Sequence, residues 1–175
     1  MKQNQHQNLQ KLTLAALLTA FTTVATLVIQ IPSPTKGYVN LGDCLVNISA
    51  WILGPAYGAA AAGIGSAMAD LISGYMIFAP ATLIIKALMA VASYYIYYRL
   101  CGKSGSFWAR ITAACAAEII MTAGYIGFEA VVMYGSLTAA LVGVPGDLAQ
   151  GVMGVASSVA VYELVLKRIP TLHVK

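Results

Sequence analysis

Asp43, Asp70 and Lys86 stand within or at the edge of sequence that is otherwise almost continuously apolar, with Asn40 and Asn47 flanking the first of them. A charge inside a membrane helix costs roughly 2.5–3.5 kcal/mol on insertion scales, so such groups face a partner or a wet cavity. Their types suit recognition rather than bond-making: carboxylates accept, an ammonium donates and carboxamides do both. Glu129 and Asp147 add two more acceptors, and Tyr38 and Tyr75 bring aromatic faces to the same level. Aromatic faces beside convergent polar groups describe a pocket for a flat polar ring. Simpler roles stand beside that one. Asp70 and Lys86 would satisfy each other as an ion pair between adjacent helices, and Asp43 would serve as a helix N-cap. For Glu118, deeper in its apolar segment, protonation or bonding to a neighbouring hydroxyl is the expectation.

Catalytic and metal chemistry finds little support. The chain has no HExxH, no GxSxG, no paired aspartates of an intramembrane protease and no histidine within an apolar segment. His6 and His173 fall in polar tails, where solvation is the expected state. Cys44, Cys101 and Cys115 are scattered, without CxxC spacing, and read as small buried hydrophobes. No metal, no cofactor and no catalytic residue is expected.

These groups need elements to carry them, and composition says which kind. The 175 residues are 59% hydrophobic and 9% charged, with a mean hydropathy of +0.78. Apolar runs approach the roughly 20 residues that cross a ~30 Å hydrocarbon core as helix. The expected fold is all-α: one integral membrane domain over 1–175, a bundle of six transmembrane helices near 12–30, 43–53, 56–74, 80–99, 108–133 and 140–166. Residues 1–11 and 167–175 are the polar tails. The first run is long, lacks a small-x-small cleavage site and precedes further spans, so it is read as retained.

Lys2, Lys11, Arg99, Lys103, Arg110, Lys167, Arg168 and Lys175 fall on one side of such a bundle, leaving Lys36 and Lys86. The positive-inside rule then puts both termini in the cytoplasm. The net charge of +4 is thus a topology signal, and no nucleic-acid partner is expected. Tyr94, Tyr95, Tyr97 and Tyr98 read as an interfacial belt at the inner end of the fourth span. The external loop 31–42, "IPSPTKGYVNLG", is longer than a helix connection needs and is expected to act as a lid.

Ala16 and Ala20 lie one turn apart on the first span, with Thr13 and Thr23 roughly along the same stripe; Ala59, Gly63 and Ala67 repeat the pattern, as do Gly151, Gly154 and Ala156. Such strips let helices approach closely. The latter two read as packing within the bundle.

The lid loop, the "LGD" that opens the second span, "ILGPAYGAAAAGIGSAMADLISGY" and "APATLIIKALMA" together resemble the substrate-binding S components of energy-coupling factor (ECF) vitamin transporters, over nearly the whole chain. The resemblance implies a non-enzymatic six-helix subunit of the bacterial cytoplasmic membrane, in contact with membrane lipid. It would capture a vitamin at its outer face, under the first loop. It also implies partners: a membrane coupling subunit, contacted through Ala16 and Ala20, and two cytoplasmic ATPases. The chain has no GxxxxGK[ST] loop of its own.

"GYVNLGD" and "PATLIIK" look most like the subgroup for riboflavin, hydroxymethylpyrimidine or vitamin B6. The surplus of acceptors suits a pyridoxine-like or hydroxymethylpyrimidine-like ligand, with riboflavin the alternative. Lys86 would donate to a ring hydroxyl or nitrogen, Asn40, Asp43, Asn47 and Asp70 would hold hydroxymethyl groups, and Tyr38 or Tyr75 would stack or close the site, with Glu129 and Asp147 beside them. A stand-alone secondary carrier with Glu118 as proton site is the less favoured class, since no inverted repeat is evident.

Overall fold

The computed structural model describes residues 2–101 and 106–168, the side chains from residue 8 onward and without that of Cys101. Lys103, His173 and Lys175 lie outside the described residues, as do the side chains of Lys2 and His6. The chain runs α1 (Lys2–Val28), β1 (Gln30–Pro32), β2 (Tyr38–Asn40), α2 (Gly42–Ile72), α3 (Ala79–Cys101), α4 (Phe107–Phe128), a π-helical turn (Glu129–Met133), the short α5 (Leu137–Ala140) and α6 (Val144–Leu164). Among the described residues five helical segments are long and apolar enough to cross a membrane. Large apolar side chains are exposed on every one of them, as lipid-facing surface requires: Phe21, Ile72, Ile84, Ile119 and Val152 are examples.

The segments expected separately at 43–53 and 56–74 are one element, α2, so five rather than six stretches meet the length of a span. The element is nevertheless broken. Gly54 sits at φ 80°, ψ −175°, a conformation essentially reserved for glycine, and Pro55 then starts the second arm where its missing N–H costs nothing. Beyond the break the chain folds back on itself. A Cβ on Gly58 would lie 2.8 Å from the Ser49 carbonyl oxygen and 2.9 Å from the Ala50 Cα, whereas in an unbroken helix nine residues span about 13 Å. The first arm, 42–53, spans only about 18 Å at 1.5 Å per residue, too short for a full crossing.

α2 packs against α1, α3 and α6, and α4 bridges α3 and α6. Val46, Trp51, Ala62, Met89, Ala117 and Met121 form the core where these elements meet. Gly63 lies against the Leu83 carbonyl of α3, and Thr23 donates to the Gly65 carbonyl at 2.8 Å, tying α1 to α2. Thr23 is therefore turned inward, while Ala16 and Ala20 are on the outward face of α1 with Leu12, Leu17 and Phe21. The polar segment expected as a tail, 1–11, is helical from Lys2 on.

At the end of the bundle opposite the Gly54 break, β1 and β2 form an antiparallel hairpin with Gln30 opposite Asn40 and Pro32 opposite Tyr38. Its tip is closed by Ser33 N–H to the Gly37 carbonyl at 2.9 Å, with Lys36 in the left-handed region at φ 61°. The loop expected as a lid is thus ordered structure lying across the bundle end.

Two of the basic residues do more than mark a side. Arg110 is buried, paired with Glu163, and its guanidinium lies 4.3 Å from the Tyr162 ring centroid. It also donates to the Tyr97 hydroxyl, so Tyr97 faces inward, unlike the exposed Tyr95 and Tyr98 that suit an interfacial belt. Lys86 is the second, and belongs to the site.

Candidate functional site

The hairpin is held down by side chains from three elements. Gln30 Nε2 donates to Ser73 Oγ at 2.7 Å, at the end of α2. The Tyr38 hydroxyl donates to Asp70 Oδ1 at 2.6 Å, and its ring packs on Tyr75 with centroids 4.6 Å apart. Thr35 at the tip is buried against Gly143, just ahead of α6, where a Cβ would come within 2.9 Å of the threonine methyl. Burial, and after it the Asp70 carboxylate, push the Tyr38 phenol well above its ordinary range. It therefore stays protonated and serves as the donor.

Beneath the hairpin lies a cavity lined by Ser33, Thr35, Gly37, Tyr38, Val39, Asn40, Asp70, Phe78, Thr82, Tyr125, Glu129, Asp147 and Gln150. Its free volume is about 40 Å³ within some 450 Å³ of empty space that includes the mouth. The interior holds about two or three waters in this closed state. Asp70 is 4% exposed, and its Oδ2 is buried with no hydrogen-bond partner. A buried acceptor without a partner is costly, and it is the kind of group a ligand's donor satisfies. The Thr82 and Tyr125 hydroxyls lie 3.1 Å apart on the facing wall.

Below the cavity floor is a second layer of polar groups bonded to one another, with Glu118 Oε2 left without a hydrogen-bond partner. Asp43 and Lys86, 0% and 2% exposed, form an ion pair, so the expected partner of Lys86, Asp70, is replaced by Asp43. Gln150 Nε2 donates to the other Asp43 oxygen at 2.6 Å, while Gln150 Oε1 accepts from the Asn40 backbone N–H at 2.9 Å. The N-cap position belongs to Leu41. Asp43 lies in the first turn, and Asn40 Oδ1 takes the Gly42 N–H at 2.8 Å in the manner expected of Asp43. Asn47 Nδ2 reaches Glu118 Oε1 at 3.4 Å; its oxygen accepts from Ser93, which in turn accepts from the Trp51 indole at 3.0 Å. Gly151 and Gly154 of α6 let this layer form, because a Cβ on Gly154 would meet Glu118 Oε1 at 2.5 Å and Asp43 Cβ at 2.9 Å.

Of the nine residues expected to bind, Tyr38, Asn40, Asp70, Glu129 and Asp147 line the cavity. Asp43, Asn47 and Lys86 make up the paired layer under it, and Tyr75 backs Tyr38 from outside. Gln150, Thr82, Thr35 and Ser33 line the cavity without having been expected there. Gln150 had a signal: it follows Asp147 by three residues, which puts both on one face of α6.

A larger groove, about 620 Å³, runs between α4 and α6 and is walled by Ile119, Ile126, Leu148, Val152 and Val155 among others. It is open and mostly apolar, with Glu118, Thr122 and Asp147 its polar groups, whereas the cavity under the hairpin is lined mainly by polar and aromatic side chains and is the better recognition site. No cluster of histidine, cysteine or carboxylate groups among the described residues has metal-binding geometry.

Comparisons with known proteins bear on the family and the fold. An uncharacterized protein of Pyrococcus woesei, described only as lying in a gap 3′ region, is 34% identical over 149 residues, covering 84% of this chain and 95% of that one. A solved structure, described as the structure and mechanism of the S component of a bacterial ECF transporter, superposes with a TM-score of 0.76. It covers 93% of this chain and 99% of that one at 19% identity, which speaks for a shared fold. The sequence profile of the family described as "ECF-type riboflavin transporter, S component" matches residues 6–167. With nearly its whole length matched, this multi-pass membrane chain belongs to the family of ECF-type riboflavin transporter S components, which are transport subunits and not enzymes.

Proposed function

We propose that the protein captures a small heteroaromatic vitamin or precursor, pyridoxine-like or hydroxymethylpyrimidine-like, in the cavity under the β1–β2 hairpin, and hands it to an ATP-driven coupling module. The observation that carries this reading is the buried, unpartnered Asp70 Oδ2 in a cavity roofed by a latched hairpin. The closed cavity admits a ligand only when the hairpin lifts, breaking the Tyr38–Asp70 bond and freeing both carboxylate oxygens. Asp70, Glu129, Asp147 and Asn40 then accept from ring substituents, Gln150 helps orient Asn40, and Phe78, Tyr125 and Tyr38 flank the ring. Asp43, Lys86 and Asn47 set the floor. The surplus of acceptors around the cavity favours a small donor-bearing ring over a larger tricyclic one.

Riboflavin is the second reading, favoured by the description of the matching family. It requires a larger displacement of the hairpin. The two are separated by ligand-induced thermal stabilisation of the purified chain against a vitamin panel. A strong response to pyridoxine or hydroxymethylpyrimidine supports the first reading; a response to riboflavin alone overturns it in favour of the second.

For assembly, we place the protein in the bacterial cytoplasmic membrane with both termini in the cytoplasm, counting the two arms of α2 as separate passes to make six, the short first arm crossing where the bilayer thins around it. The outward Ala16 and Ala20 then offer a close-approach face to a membrane coupling subunit that carries two ATPases. Exposure of that strip beside Leu12, Leu17 and Phe21 supports the reading, since among the described residues no other element covers it.

A further inference from the structure

The charge around the cavity is unbalanced. Asp70, Glu129 and Asp147 all line it, and no lysine, arginine or histidine does. The nearest buried ammonium, Lys86, is already engaged by Asp43 in the layer below. Asp70 and Glu129 are 4% and 5% exposed, and Asp70 Oδ2 makes no hydrogen bond although the Thr82 hydroxyl stands beside the carboxyl group. A neutral ligand would satisfy lone pairs there without bringing a counter-charge to the carboxylates.

An inorganic cation does not fit, because these carboxylates are not grouped at metal-ligand spacing among the described residues. They are spread around a cavity whose other walls are the aromatic rings of Tyr38, Phe78 and Tyr125. Separated carboxylates with aromatic faces between them are complementary to an organic cation, whose charge lies over a ring face while its N–H groups reach different acceptors.

We propose that the substrate of this cavity is an organic cation, a heteroaromatic ring bearing a protonated amine, with Asp70 receiving its ammonium group once the Tyr38 hydroxyl has been displaced. This rests on the reading of the cavity as the vitamin-binding site. Glu129 and Asp147 set the preference for positive charge from the opposite side, and so discriminate against anionic vitamins by repulsion.

The test uses a near-isosteric pair, pyridoxamine and pyridoxine, which differ by an ammonium in place of a hydroxyl. Calorimetric titration of the full purified chain is expected to give pyridoxamine an affinity at least about ten-fold tighter, the desolvation of the ammonium offsetting part of a larger Coulombic gain. Asp70→Asn, which keeps the side chain's shape and an acceptor for Tyr38, is expected to shrink that ratio to near one. Asp147→Asn, at a half-buried position that tolerates the change, is expected to reduce it in part and serves if the first variant fails to fold. Equal or tighter binding of pyridoxine overturns the cation preference and leaves vitamin capture standing. No binding of either compound or of riboflavin overturns the underlying reading of the cavity.

Discussion

Asp43 and Lys86 show how much of a buried charge's role depends on what stands beside it. Both are fully enclosed and each satisfies the other, with Gln150 completing Asp43. Such a pair adds little net stability over well-packed hydrophobes, but removing one member leaves a charge without compensation. Lys86→Met is therefore expected to destabilise the protein by about 3–5 kcal/mol, and Asp43→Leu combined with it to restore a good part, both read by thermal unfolding in detergent. Loss of ligand affinity with unchanged unfolding would instead make Lys86 a ligand contact. Tyr38→Phe removes the bond that latches the hairpin to Asp70. A hydrogen bond to a charged group is worth about 1.5–3 kcal/mol and this one must break before ligand enters, so ligand association is expected to speed up by about ten-fold or more in stopped-flow traces. From the sequence, it was legible that polar residues gather in the hairpin half of the bundle, because hydropathy reports embedding. The layer each occupies and the direction it faces were not. Asp70 and Lys86 read as one level, yet Lys86 turns toward the first arm of α2 in the layer below and Asp70 toward the hairpin. Gln150 escaped notice because an uncharged amide barely disturbs an apolar run, even with Asp147 one turn before it.

At the scale of elements, the break at Gly54 decides where the site's floor lies. Reversal there lets the short first arm bring Asp43 and Asn47 to α3 and α6, while the second arm carries Asp70 back up to the hairpin. Gly54→Ala forces a side chain into a conformation that costs about 1–3 kcal/mol, and a lowered melting temperature with unaltered ligand specificity is expected. The Gly-Pro punctuation at 54–55 was readable. That it joins two arms packed back to back was not, since periodicity carries no information on what a helix packs against. The loop's length announced a covering segment, but its strands are three residues each, too short for alternation to show. On α1, Ala16→Leu with Ala20→Leu is expected to abolish co-purification with the coupling subunit and ATPases while leaving ligand-induced stabilisation intact. Loss of ligand response in that variant would place the strip inside the bundle's own packing.

Across the whole molecule, the division of labour runs along the bundle axis. The hairpin end holds a small carboxylate-lined cavity in which Asp70 Oδ2 has no hydrogen-bond partner, the middle holds a polar layer bonded together except at Glu118 Oε2, and the far end is pinned by Arg110 and Glu163 among Tyr97 and Tyr162. Membrane embedding and helical class were legible, because an apolar chain must satisfy its backbone internally and concentrates polar groups only where they have work. What the pattern hid was the split between groups that hold helices together and groups left open for a ligand, which depends on side-chain partners. That split is the central claim. It is tested most directly by mass spectrometry of the small molecule retained by the wild-type chain and by an Asp70→Asn, Asp147→Asn variant after incubation with a vitamin mixture. The wild type is expected to retain one heteroaromatic vitamin near one per chain and the folded variant to lose it. Equal retention by both, or none by the wild type, would contradict the account.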